Sequence, residues 1–212
     1  MVDDNYMSYG RSMFGGKVSE NLKYMMNSIL SDSACKSLSK IHGVQVAIIS
    51  GGNEWSGASG YSDCEGDIKL DHDDTLRIAS NTKTFVAAAI LRLYEDGLID
   101  VDIGIDKYIS KKSIETLKKG NYKLSSISIR QLLSHTSGLF DYADNKKFEA
   151  LFLKFPQYSW TRNEQLTYAM KWGEAYGYPG EVYRYSDTGY ILLGEIIERV
   201  SGNSLGLAMR RL

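Results

Sequence analysis

Apolar positions recur at a helical period along most of this chain and alternate at a strand period in one early stretch. Leu22, Met25, Met26 and Ile29 fall on one side of a helix over residues 19–30. Val44 to Ser50 and Glu54 to Ala58, joined by Gly51-Gly52-Asn53, predict two strands and a tight turn. Residues 75–78 read as a further short strand, and the apolar run from Phe85 to Tyr94 predicts a helix buried nearly all round, with Gly97 as its C-cap. From about Ile105 the pattern is helical with loops, giving helices over 128–134, 146–154, 163–172 and 190–200. Two prolines punctuate it, and Pro179-Gly180 marks a turn. The elements divide the chain into a leader and helix (1–43), a hairpin and long helix (44–104), and a mainly helical lobe (105–212), without internal repeats.

Composition narrows the partners more than the chemistry. Hydrophobic residues make up 43% of the 212, enough for a substantial core, and 25 basic against 26 acidic side chains leave a net charge of −1. That balance gives no electrostatic argument for nucleic acid or an anionic membrane. The lysine-rich stretch 107–123 reads as a solvated face, and no apolar run is long enough to span a bilayer. The first residues lack the basic and apolar regions of a secretory signal, so a cytoplasmic location is expected. Cys35 and Cys64 form no C-x-x-C pair. His42, His72 and His135 lack metal-ligand spacing with the cysteines or with one another and read as three separate structural or surface histidines. No G-x-S-x-G elbow or phosphate-binding loop is present, and no cofactor or metal is implied.

One segment does carry chemistry. In Arg77-Ile78-Ala79-Ser80-Asn81-Thr82-Lys83-Thr84-Phe85 a serine and a lysine stand one helical turn apart at the head of the apolar run. At that spacing both side chains leave the same helix face, so the amine can reach the hydroxyl. The N–H groups and positive dipole end of a helix start favour negative charge developing there. A neutral Lys83 acting as base near pH 7 needs its pKa lowered from about 10.4, at a cost of about 4 kcal/mol. S-x-x-K also occurs at Ser33–Lys36 and Ser37–Lys40, but only the Ser80 copy precedes a long apolar helix.

Three ordered blocks extend the pattern: 76–85, Gln131-Leu-Leu-Ser-His-Thr-Ser-Gly-Leu139, and Pro179-Gly-Glu181 through Tyr185-Ser-Asp-Thr-Gly-Tyr-Ile-Leu-Leu-Gly194. In kind and order they resemble the serine β-lactamase and penicillin-binding-protein superfamily, nearest its class C, DD-peptidase and family VIII esterase branch. The resemblance spans roughly residue 43 to the end. It implies an α+β, β-lactamase/transpeptidase-like fold: an antiparallel sheet with flanking helices plus an all-helical lobe, with the later sheet strands missing from this chain. It also implies a serine hydrolase that forms an acyl-enzyme on an ester, amide or peptide carbonyl.

Within that resemblance Ser80 is the nucleophile, Lys83 and Tyr185 move protons, and Asp187 positions Lys83 or the substrate. Asp187 departs from the family, which has asparagine there. An ionised aspartate only accepts hydrogen bonds, so it would hold Lys83 protonated and shift the base role to Tyr185, whereas a protonated Asp187 would mimic asparagine. Tyr-x-Asp also occurs at Tyr61–Asp63 and Tyr142–Asp144, but only Tyr185 has the family's surroundings. The family's third element, a Lys-Thr-Gly or His-x-Gly strand that supplies an oxyanion N–H, does not follow Tyr185 in this sequence. His135-Thr-Ser-Gly138 is one residue too long, lies upstream, and is expected to be a structural turn. Two readings therefore stand: a hydrolase acting on a small-molecule or peptide substrate, or a catalytically incomplete, partner-dependent protein that forms a homo-oligomer or takes a complementing chain across an open sheet edge.

Overall fold

The structure, a computed structural model, describes residues 7–10, 13–31, 41–63 and 68–211. Cys35, Cys64 and the S-x-x-K copies at Ser33 and Ser37 lie outside them. The chain forms two compact units, Met1–Arg77 and Ile78–Leu212. The second begins just ahead of the apolar helix that the sequence grouped with the hairpin, because that helix makes its contacts with later helices.

The first unit holds a three-stranded antiparallel sheet in the order β1–β3–β2, with β1 at Met7–Tyr9, β2 at Gly43–Ser50 and β3 at Asn53–Gly60. The hairpin is the predicted one, paired from Gly43 opposite Gly60 to Ser50 opposite Asn53. Its turn works because Gly51 and Gly52 both adopt positive φ, 57° and 80°, which matches strand twist and strains any residue with a Cβ. The third strand corrects the sequence reading: β1 lies in the polar leader and is too short to show an alternation. It pairs Met7 with Ser59 and Tyr9 with Gly57. Helix α1 (Gly16–Ser31) packs on β3, burying Met26, while Asn27 Oδ1 accepts from Ser59 Oγ at 2.9 Å. Met25, expected on the same face, is exposed. Residues 75–78 form no strand; their backbone joins no sheet.

The second unit is helical, as predicted, and contains two helices that the pattern did not resolve. Its elements are α2 (Thr82–Glu95), α3 (Lys111–Lys118), α4 (Ile129–Leu133), α5 (Lys146–Lys154), α6 (Arg162–Trp172), α7 (Asp187–Ser201) and α8 (Leu205–Arg211). The core is one continuous cluster that includes Ile90, Ile105, Leu117, Leu132, Leu166, Leu192, Leu193 and Ile196. Helix α7 runs through it, and α2 packs against α7 and α8. The lysine-rich stretch contains α3; its lysines are all exposed, the expected solvated face, while Ser113, Thr116 and Leu117 are buried on the other side of the helix.

Helix α2 also corrects its prediction. Val86, Ala89, Ile90 and Leu93 form a buried stripe at i, i+3, i+4 and i+7, while Phe85, Leu91 and Tyr94 point outward and are 59%, 49% and 46% exposed. Periodicity could not show this, because both faces are apolar. The helix does stop where expected. Gly97 takes φ 70° and donates to Tyr94 O, and Leu98 N donates to Leu93 O, the paired bonds of a Schellman ending.

Candidate active site

Ser80 lies in a short 3-10 turn, Ala79–Asn81, that leads directly into α2. Ala79 before it holds φ 44°, a left-handed conformation costing a residue with a Cβ about 1–2 kcal/mol. The bend sets Ser80 at the exposed mouth of the helix, with Lys83 one turn on. Tyr185 comes from the loop before α7, and Asp187 is the first residue of α7, three residues earlier than the sequence placed that helix.

These four residues, far apart in sequence, converge. Tyr185 Oη and Ser80 Oγ are hydrogen-bonded at 2.8 Å, and Lys83 Nζ donates to Ser80 Oγ at 3.3 Å. Asp187 and Lys83 form an ion pair. The ammonium also sits over two rings, 4.8 Å from the centre of Tyr185 and 5.5 Å from that of Tyr190. Burial pulls Lys83 toward its neutral form, but the Asp187 carboxylate and then the Tyr185 side chain outweigh it, so its pKa lies above the ordinary 10.5. Of the alternatives open in the sequence, the arrangement is that of a cationic Lys83 clamped by Asp187, not of a neutral amine.

Three further residues complete the site without having been singled out for it. Asp141 is buried, and its carboxylate accepts from the N–H of Ala143 and of Asp187. It thereby caps the start of α7, whose own Ser186 makes no side-chain cap. Burial and the neighbouring Asp187 charge raise the Asp141 pKa against those two bonds. Tyr142 N donates to Thr188 Oγ1, a second tie onto the first turn of α7. The Tyr142 phenol is not on Ser80 but lines the groove beside it, where it accepts from Gln165 Nε2 at 3.1 Å and is pushed well above its ordinary pKa by burial.

His135 is the third. Its ring stacks on Tyr185 at 4.4 Å, and its Nδ1 accepts from Ser186 N at 3.1 Å. The expected structural turn is present, with His135 at φ 57° and Gly138 at φ 74°, but it stands directly behind the candidate tyrosine. The sequence marked His135 as part of a structural turn, and nothing in its spacing pointed to a ring behind Tyr185.

The groove at Ser80 encloses about 560 Å³ and is lined by Lys83, Tyr142, Arg162, Gln165, Asp187 and Tyr190 among others, all in the second unit. Among the described residues, one histidine and carboxylate group has metal-like spacing, Asp71-His72-Asp73. It lies in the first unit on an exposed turn, where the Asp71 carboxylate already accepts from Asp73 N.

The chain is 30% identical to "Protein flp" of Staphylococcus aureus over 165 residues, covering 77% of this chain and 31% of that one. Among solved structures it resembles a D-stereospecific amidohydrolase from Streptomyces sp. (29% identity, TM-score 0.71, 89% of this chain and 52% of that one). It also resembles the octameric penicillin-binding protein homologue of Pyrococcus abyssi (27% identity, TM-score 0.69, 91% and 41%). The chain therefore spans about a third of the length of the curated relative and about half of the structural ones. A family model described as Beta-lactamase matches residues 32–212, and with that match over most of its length the chain belongs to the Beta-lactamase family.

Proposed function

We propose that the chain is a serine hydrolase that forms an acyl-enzyme at Ser80. The observation that carries this reading is that Ser80 Oγ lies within hydrogen-bond reach of both Tyr185 Oη, at 2.8 Å, and Lys83 Nζ, at 3.3 Å, in a site open to solvent. With Lys83 held cationic by Asp187, the base role falls to Tyr185: in the reacting form its oxygen has given up its proton and accepts from the Ser80 hydroxyl, and the ammonium over the ring stabilises that negative charge. As the bond from Ser80 Oγ to the carbonyl carbon forms, the Oγ proton passes to Tyr185 Oη. The developing oxyanion is met by the Ser80 N–H, at a helix start where amides have no intrahelical acceptor.

Collapse of the intermediate breaks the carbonyl–nitrogen or carbonyl–oxygen bond. The proton on Tyr185 Oη goes to the leaving group, which restores the phenolate and leaves an ester on Ser80. Water then gives its proton to Oη and adds to the ester; Ser80 Oγ takes that proton back as it leaves. No step needs a metal or cofactor.

The Streptomyces relative, named as a D-stereospecific amidohydrolase, supports amides of D-amino acids as the first substrates to try. A panel of D- and L-amino acid amides, p-nitrophenyl esters and a penicillin should show turnover that Ser80→Ala abolishes. Turnover surviving that substitution would remove Ser80 from the reaction.

A second reading, a partner-dependent half, is supported by the outward apolar residues Phe85 and Leu91 on α2. Turnover that appears only on adding a second fragment would favour it, and turnover by a monomer would exclude it.

A further inference from the structure

We infer that His135 is a positioning residue that holds Tyr185 over Ser80 by gripping the backbone on both sides of the tyrosine and stacking on its ring. The inference rests on the acyl-enzyme reading of the site. Its own carbonyl accepts from Arg184 N at 2.8 Å, and its Nδ1 accepts from Ser186 N at 3.1 Å. Tyr185 is therefore pinned at the residue before it and the residue after it by one side of one amino acid. The imidazole then covers the phenol ring at 4.4 Å and 26°.

The left-handed backbone of His135, φ 57°, is what allows this. It turns the carbonyl and the imidazole toward the same segment, a conformation that a β-carbon makes costly and that persists where surrounding bonds enforce it. The following residues extend the grip: Thr136 O accepts from Gly180 N at 2.7 Å, and Gly138 O accepts from Tyr176 N at 2.9 Å. At Gly138 an added Cβ would fall 2.2 Å from Gly177 O, so the turn and the 176–186 loop are in backbone contact. The turn acts as a template on which the loop carrying Tyr185 is laid.

The grip requires a particular form of the imidazole. To accept from Ser186 N, Nδ1 must carry no proton, so the ring is the neutral Nε2–H tautomer. The groups facing it are Lys83, Asp187, Tyr183, Tyr185 and Tyr190. Burial and then the Lys83 charge favour the neutral ring, and Asp187 opposes them more weakly. Protonation would turn the acceptor into a donor aimed at another donor and add a cation beside Lys83.

Two measurements on the full chain test this. The first detects the Ser186 N–H to His135 Nδ1 bond as a nitrogen–nitrogen coupling in ¹⁵N-labelled protein, which needs no activity. The second follows the rate at which a fluorophosphonate labels Ser80 in His135→Ala, His135→Asn and His135→Phe, with circular dichroism to show that each is folded. Asparagine tolerates the left-handed backbone and keeps an acceptor near Nδ1, so the Asn variant should retain much of the rate. The Ala variant should lose about 100-fold, the scale of a 1 Å misplacement. The Phe variant, which keeps a ring but no acceptor, should label slowly, and its pH profile should lack the part of the acid loss that comes from protonating His135. Absence of the coupling, or wild-type rates and an unchanged pH profile in all three folded variants, would overturn the inference. A clear coupling in a wild-type protein that labels nowhere would leave the grip standing and instead refute the acyl-enzyme reading.

Discussion

At the scale of single residues, the site depends on where one positive charge is kept. Lys83 has its pKa raised, so the interaction with Asp187 contributes stability below the ordinary 10.5, and this is lost as pH rises through the higher folded value. Asp187→Asn removes the carboxylate and should bring the alkaline loss of Ser80 labelling to lower pH, as read from a pH–rate profile; an unmoved alkaline limb would contradict the role given to the ion pair. Tyr185→Phe keeps the ring over Lys83 but not the oxygen on Ser80, and should slow labelling about 100- to 10,000-fold. His135 has the opposite sign to Lys83. Its folded pKa lies below the ordinary 6.5, so its contribution to stability is present above that value and is lost as pH falls through the window between the two. Denaturant midpoints measured across that window should fall with pH in the wild type and fall less in His135→Phe.

Part of this cluster was legible from residue types and spacing: Ser80 and Lys83 stand one helical turn apart at the head of an apolar helix. Tyr185 and Asp187 came from the resemblance to the family, since the same tripeptide also occurs at Tyr61 and Tyr142. Asp141 and His135 did not follow. A carboxylate that caps a helix 46 residues further along, and a histidine whose use is to accept one amide proton, leave no periodic trace in a sequence.

At the scale of elements, α7 carries the most and is predicted to be the least tolerant of change. Glu195 is buried on it and accepts from Ser110 N at 3.0 Å and Ser113 Oγ at 2.7 Å, holding the start of α3. Glu195→Ala leaves both donors without that acceptor and should cost about 1–3 kcal/mol in urea unfolding. Ile90, fully buried where α2 enters the core, should cost about 2–5 kcal/mol as Ile90→Ala. The pattern predicted the presence of most helices correctly, and it misjudged burial where a helix is apolar on both sides. Helix α2 shows why: period alone distinguishes a stripe from a polar face, but not an inward apolar stripe from an outward one. Strand β1 was missed for a different reason. Three residues are too few to carry an alternation of their own.

At the scale of the whole chain, the family assignment rests on a match over residues 32–212, while the proposed activity would fall to four side chains of the second unit. The outward residues of α2 bear on assembly. Phe85 and Leu91 are exposed on a helix whose other face is core, so a Phe85→Ser, Leu91→Lys double variant should reduce any self-association seen by sedimentation velocity without unfolding the chain. At its centre, the geometry around Ser80 Oγ should make this one serine nucleophilic. Intact mass and peptide mapping after exposure to a fluorophosphonate, on wild type, Ser80→Ala and Tyr185→Phe, reads this out. A single adduct is expected on Ser80, none in Ser80→Ala, and much slower formation in Tyr185→Phe. A folded wild-type protein that takes no adduct, or one labelled equally well after Ser80→Ala, would contradict it.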